Sequence, residues 1–270
     1  MKTLKNSLAL ITGGASGIGR LVAQDLASRG MRVRVWDLNA SGIAQLSSWA
    51  IGEGLDLRGT VCNVADRHAV AVSARALIDA DGELDLLINN AGVVSGQGLL
   101  ETSDEKIELT MAVNTMALFW VTKAFLPGML ERKSGQIVTV ASAAGLIGVR
   151  GLVDYSASKF AAVGFSEALR MELGAKKTGV LSTVVCPFFI DTGMFAGVAS
   201  RFPLILPILK PETVARRIVR AVLKRQKRVI LPWFVRTIFL LRPFPVGFFD
   251  AVAGFFGINR AMDHFTGRKP

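Results

Sequence analysis

The 270-residue chain is poor in cysteine, in tyrosine and in long uncharged apolar runs. Cys62 and Cys186 are its only cysteines. Two isolated thiols make no disulfide framework and suit a reducing compartment, so the expected setting is cytoplasmic. No uncharged apolar run in the sequence reaches the roughly 20 residues that a helix needs to span a bilayer. Met1 to Ser7 lead at once into a short apolar segment and a glycine-rich turn, too short and too well patterned for a secretory signal. Internal repeats, low-complexity tracts, long linkers and metal-ligand clusters are missing too.

What is present points to one large α/β domain with a small appendage. Apolar residues make up 51% of the chain, enough for a substantial core. The net charge of +11 is unevenly placed: residues 1–200 hold 18 basic and 18 acidic side chains, residues 201–270 hold 14 and 3. That last quarter also carries nine of the sixteen phenylalanines. Residues 1–232 are therefore read as the domain, with a lid near 188–210, and 233–270 as an apolar, basic C-terminal extension.

Strand-like runs at Leu8–Thr12, Arg32–Trp36, Gly59–Cys62, Leu84–Asn89, Gln136–Ala141, Val180–Cys186 and Val229–Leu231 are rich in Val, Ile and Leu, as strands buried on both faces require. Helical patterns lie between them, among others at Ile18–Arg29, Arg67–Asp79, Asp104–Leu130, Val153–Leu173 and Pro211–Arg225. The alternation predicts a single doubly wound, Rossmann-type parallel sheet of seven strands with helices on both faces.

The first strand runs into Thr12-Gly13-Gly14-Ala15-Ser16-Gly17-Ile18-Gly19, and a helix follows. Glycines allow a tight turn and close approach of a pyrophosphate, and the helix start offers free N–H groups. Gly13, Ser16, Gly17, Ile18 and Gly19 are thus candidate dinucleotide contacts, with the strand-turn-helix context in place. Asp37 ends the second strand about twenty residues on, where a carboxylate binds a ribose 2′-hydroxyl and repels a 2′-phosphate. No basic residue stands at Ala15, Ser16 or Leu38. The expected cofactor is NAD, although Arg32 and Arg34 lie nearby.

Ser142 ends the fifth strand, Tyr155 follows thirteen residues later and Lys159 four residues after that. On a helix, Tyr155 and Lys159 share a face one turn apart. A free phenol has a pKa near about 10, too high for exchange at neutral pH, and a neighbouring cation lowers it. Ser142 can hold a substrate oxygen for the phenol. Tyr155 is the only tyrosine in the chain.

With the glycine turn, Ser142, Tyr155 and Lys159 in this order, roughly residues 5–232 resemble the short-chain dehydrogenase/reductase superfamily. The resemblance implies a hydride exchange between a nicotinamide and an alcohol or carbonyl, with Tyr155 moving the hydroxyl proton. It implies further roles. Asn90, Ala91 and Gly92 match a segment beside the adenosine half of the cofactor, and Asn114 an asparagine that holds a water in a proton relay. Asn63 and Val64 match the adenine contact, where the family usually has Asp in place of Asn63. Pro187, Ile190 and Thr192 match the segment beside the nicotinamide, and Phe188 stands where Gly is common. That departure suggests an apolar substrate entrance.

Cys186–Gly197 and Asn259–Phe265 resemble the branch that includes epidermal retinol dehydrogenase and lipid-droplet 17β-hydroxysteroid dehydrogenases, which implies a retinoid, steroid or fatty alcohol or aldehyde as substrate. Those relatives usually carry an N-terminal hydrophobic anchor, which this sequence is expected to lack. A membrane contact must then rest on residues 201–258, where Arg216, Arg217, Arg220, Lys224, Arg225, Lys227 and Arg228 precede a run of exposed-type aromatics. Cations attract anionic head groups and aromatics insert shallowly, so a peripheral membrane contact is expected. Packing of the aromatics on the body is the competing reading. Nucleic acid is not an expected partner, since no binding motif accompanies the charge. A 3-oxoacyl thioester reductase, served by an acidic carrier, and a catalytically silent lipid-surface protein stay open as alternatives. The resemblance also implies a homodimer or homotetramer built through the long helices 104–130 and 153–173.

Overall fold

The computed structural model describes residues 5–267. The outermost parts of the expected domain and extension, residues 1–4 and 268–270, lie outside the described residues. The Val-, Ile- and Leu-rich runs become strands whose both faces are covered: β1 (Leu8–Thr12), β4 (Leu86–Asn89) and β5 (Gly135–Val140) are buried at every position. With β2 (Arg32–Asp37), β3 (Leu57–Val61), β6 (Val180–Pro187) and β7 (Arg228–Leu231) they form one seven-stranded sheet, in the order β3-β2-β1-β4-β5-β6-β7. Every pairing is parallel.

One face of the sheet is covered by α1 (Gly17–Ser28), α2 (Ala40–Gly52) and α7 (Pro211–Leu223), whose Val22, Leu26, Leu46, Ile218 and Val222 share a cluster with alternate strand residues. The other face is covered by α3 (Arg67–Asp81), the pair α4 (Asp104–Met111) and α5 (Ala117–Glu131), and α6 (Val153–Ala175). There the fully buried Phe125 lies 5.7 Å from the Trp36 ring. Burying such a side chain contributes about 1.5–3 kcal/mol. Local chemistry starts several helices: Asn39 accepts from the Gly42 amide ahead of α2, and Asp66 from His68 and Ala69 ahead of α3.

Several details differ from the sequence expectations, among them that β4 begins at Leu86 and not at Leu84 and that α7 ends at Leu223 and not at Arg225. The third strand starts two residues earlier and ends one earlier, because Arg34 and Val35 fix its register against Arg58 and Gly59. The helix expected over 104–130 is divided by a π-turn, Ala112–Met116. The helix α2 did not emerge from apolar periodicity; its sequence, rich in Ser, Gly and Ala, carries a weak stripe.

After β7 the chain forms a 3₁₀ turn (Trp233–Thr237), α8 (Ile238–Leu241) and α9 (Val246–Phe255). Phe234, Ile238, Phe256 and Ile258 pack on a cluster built from α5, α6 and the ends of β6 and β7. The last described residues return across the segment 188–210: Ala199 N–H donates to Ala261 O at 3.2 Å and Thr266 N–H to Ala196 O at 2.9 Å. The extension is thus part of the body. Among the described residues, the one helical stretch apolar and long enough to cross a bilayer, Asp104–Glu131, is half buried within the domain, and Val246–Phe255 is too short.

Candidate active site

The strand order reverses between β1 and β4, and the crevice beyond the carboxyl ends of such strands is where open α/β sheets bind ligands. Here it is a cavity of about 410 Å³. Of the candidate residues, all but Asn114 line it; Asn114 is buried against it.

Gly13 and Gly17 both adopt positive φ, +64° and +53°, which carries the chain from β1 into α1. A Cβ on Gly13 would stand 2.8 Å from Ala91 Cα, and one on Gly19 2.2 Å from Gly13 O, so neither position accepts a side chain. Ser16 is extended ahead of α1, its side chain caps nothing, and the first turn holds no acidic residue. The opening amides of α1 therefore face the crevice. This is a fit for a pyrophosphate. The turn is held by residues that sequence reasoning had assigned otherwise or missed. Thr12 Oγ1 accepts from the Asn90 and Ala91 amides, both at 3.1 Å, and the Asn90 side chain donates to Thr12 O and Gly13 O at 3.0 and 2.9 Å. Asn90 thus spends its amide on the glycine turn. Thr12 carried no sequence signal beyond its place before the glycines.

The Asp37 carboxylate accepts from the Ala15 amide at 2.9 Å and the Asn39 amide at 3.0 Å, which fixes it at the cavity wall. Arg34 is directed away, paired with Asp56 at 2.8 Å and Asp81 at 2.5 Å, and Arg32 donates to Asp81 O. Asn63 closes a local turn on the Ala65 amide at 3.1 Å, with Val64 buried behind it.

At the other end, Tyr155 and Lys159 share a face of α6 and both point into the cavity, Lys159 Nζ lying 5.5 Å from the Tyr155 ring centre. Lys159 Nζ donates to Val140 O at 3.2 Å. Ser142 caps the turn after β5 by accepting from the Ala144 amide at 3.1 Å, and hydrogen-bonds the Tyr155 phenol. Burial pushes the Tyr155 phenol up to about 12, with the Ser142 bond acting against the rise. Burial also pushes the Lys159 ammonium down to about 8. Desolvation is thus the larger influence on the phenol, and the hydrogen bond with Ser142 is what opposes it.

Asn114 sits in the π-turn, an irregularity frequent at functional sites. Its Oδ1 accepts from the Val93 amide, and its Nδ2 donates to Val93 O and, at 3.0 Å, to Ser158 Oγ. Ser158 in turn donates to Tyr155 O at 2.7 Å. Asn114 thereby ties the chain after β4 to the helix that carries Tyr155. A Cβ on Gly92 would stand 3.3 Å from Asn114 Oδ1 and 3.5 Å from Lys159 Nζ, so Gly92 keeps open the space between them.

The segment 188–210 is anchored by Ile190, bridged to Leu209, and by Thr192, which faces Gly17 across the crevice. Part of the wall beside Tyr155 is aromatic: Tyr155 meets Phe195 edge-on at 5.7 Å, and Phe195 meets Phe189 at 5.2 Å and Phe265 at 6.5 Å. From the tail, Ile258 lines the cavity and Phe265 packs on Phe195, parts in the site that the sequence did not show.

Residues 7–201 match the short chain dehydrogenase family. The chain belongs to that family. It is 39% identical to epidermal retinol dehydrogenase 2 of Mus musculus, over 99% of this chain and 88% of the mouse protein. A short chain dehydrogenase/reductase from Burkholderia phymatum, solved with NAD, superposes with a TM-score of 0.81 at 28% identity, over 90% of this chain and 95% of that one. An actinorhodin polyketide ketoreductase solved with NADPH gives 0.77 at 30% identity, over 86% and 97%. The family places the chain among oxidoreductases acting on alcohol and carbonyl groups with a nicotinamide cofactor.

Proposed function

We propose that this chain is an NAD(H)-dependent oxidoreductase that interconverts an alcohol and a carbonyl on a bulky lipophilic substrate, such as a retinoid, a steroid or a fatty alcohol or aldehyde. The observation that carries the reading is the meeting of Ser142, Tyr155 and Lys159 at the strand ends, opposite a wall of Phe188, Phe189 and Phe195. Apolar walls with a few convergent polar groups suit such a ligand.

The glycine turn and α1 would hold the pyrophosphate, Asp37 the adenosine ribose, and Asn63 and Val64 the adenine. Ala91 and Gly92 would border the adenosine half, with Asn90 holding the turn beneath it. Lys159 and Tyr155 would hold the nicotinamide ribose, and Pro187, Ile190 and Thr192 the carboxamide end. When bound, the dinucleotide supplies or accepts the hydride. In oxidation Ser142 Oγ would orient the substrate hydroxyl and Tyr155, as the phenolate, would take its proton. In reduction Tyr155 returns a proton to the carbonyl oxygen. Lys159 is the only cation lining the cavity among the described residues and favours the phenolate while it is charged. The aromatic wall excludes water from this exchange. NAD over NADP rests on Asp37, since Arg32 and Arg34 are committed elsewhere and cannot meet a 2′-phosphate.

Peripheral membrane contact through 201–258 is part of the proposal, in a form that the fold narrows. Arg216 and Arg220 of α7 lie on the opposite sheet face from the extension. The cations that accompany the exposed aromatics are Arg201, stacked on Phe255, Arg228, stacked on Phe239, and Arg242, over Phe160. Exposed Met116, Phe119 and Phe160 on α4–α6 favour a homodimer or homotetramer through those helices.

A screen of NADH and NADPH fluorescence with retinol, steroid and long-chain alcohols tests the reading. NAD-linked turnover of the lipophilic alcohols is expected. Faster turnover of 3-oxoacyl thioesters, or none across the panel, overturns it.

A further inference from the structure

Behind the catalytic cavity lies a second chamber of about 290 Å³. Most of its wall comes from the extension, including Phe234, Ile238, Leu241, Phe249, Val252 and Phe256. Thr237 is its one polar lining residue, and the Thr237 hydroxyl already donates to Phe234 O at 2.8 Å. Among the described residues no unspent polar side chain faces this space, so water gains little there and an apolar guest loses nothing. Ala143, Ile147, Phe188 and Ile258 line both this chamber and the catalytic cavity. Phe188 is the large aromatic of the four. Its backbone is pinned, with its N–H donating to Leu231 O at 2.7 Å, while its ring stands edge-on to Phe189 at 4.8 Å. The opposite end opens beside Leu240, which is 73% exposed.

We propose that this chamber binds the hydrocarbon tail of the substrate, with Phe188 as the partition between tail and reacting carbon. The inference rests on the lipophilic-substrate reading above and adds where the chain of that substrate lies. Continuity with the catalytic cavity and a lining that is apolar except for Thr237 argue for one occupant, a long saturated or polyene chain on an alcohol or aldehyde. A short alcohol fills only the catalytic side. Selectivity for chain length is then set by the extension, not by the catalytic residues.

The test places bulk in the chamber from its far wall. Ala253 lines it on α9, remote from the catalytic groups, and Ala253→Trp fills it; Val252→Phe is a milder second variant. Two readouts are taken on the full chain. In the first, kcat/KM is measured for saturated primary alcohols from butanol to hexadecanol. The long-to-short ratio is expected to fall about tenfold or more in A253W, and Phe188→Ala, which merges the chambers, to raise it. In the second, the affinity for cis-parinaric acid, a fluorescent polyene chain, is measured without turnover and is expected to fall by a similar factor in A253W and less in V252F. Unchanged probe affinity in both folded variants overturns the tail site, whatever the alcohols do. Weakened probe binding with no turnover of any alcohol leaves the tail site standing and removes the functional reading.

Discussion

Lys159 holds its ammonium 5.5 Å from the centre of the Tyr155 ring, one helical turn along α6, and both side chains are 95% buried. The pair is a compromise between attraction and desolvation. A charged lysine stabilises a phenolate, yet the same enclosure disfavours each charge, and burial moves Tyr155 up to about 12 and Lys159 down to about 8.

The lysine half of that compromise is visible in stability. Unfolded, Lys159 loses its proton near about 10.5; folded, near about 8. Between those values the unfolded chain binds more protons, so the stability that Lys159 contributes is present above the unfolded value and lost as pH falls through the folded one. Lys159→Met is therefore expected to be more stable than the wild type below pH 8, by about 3 kcal/mol at most. That advantage should vanish as pH approaches 10.5. Denaturant melts of both proteins across this range check it, and a pH-independent difference would contradict the burial argument.

For Tyr155→Phe the expected outcome is loss of turnover by about 10²–10⁴-fold with dinucleotide affinity kept within a few fold. The phenol moves a proton, while the glycine turn and Asp37 hold the adenosine half. Stopped turnover is read from NADH fluorescence and affinity from titration. Turnover near the wild-type rate would remove Tyr155 from its role.

Asp37→Ala should raise the Kd for NAD about ten- to a hundredfold, the worth of hydrogen bonds to a charged group, and lift the relative use of NADP. The ratio of kcat/KM for the two cofactors is the deciding quantity. Because Asp37 also accepts from the Ala15 and Asn39 amides, a modest fall in Tm is expected alongside.

The extension has two kinds of aromatic residue, and they should respond differently. Trp233, Phe244 and Phe248 are exposed, so replacing all three with Ser should cut co-sedimentation with anionic vesicles and shift stability by only about 0.5 kcal/mol per site. Phe256 is half-buried, packs against Phe234 at 5.1 Å and lies against the core cluster; Phe256→Ala should cost about 1–3 kcal/mol. Truncation after Pro232 should unfold the site, not merely release the protein from membranes. A folded, active truncated chain would show the extension to be dispensable.

What the sequence by itself determined was what short-range pattern encodes. Strands buried on both faces read as continuous Val, Ile and Leu runs, the glycine turn follows from its place between β1 and α1, and the Tyr155–Lys159 pairing follows from helical geometry alone. The tertiary structure decided what depends on distant parts of the chain. Thr12 and Asn90, 78 residues apart, meet only because β1 and β4 are neighbours. The π-turn at Asn114 arises where that helix packs against the loop after β4 and against α6. The order of charge along the chain suggested one basic, aromatic surface, and the sheet separates α7 from the extension onto opposite faces. The acidity of Tyr155 follows the same logic: a neighbour one turn away is written in the sequence, but desolvation is a property of everything folded around it.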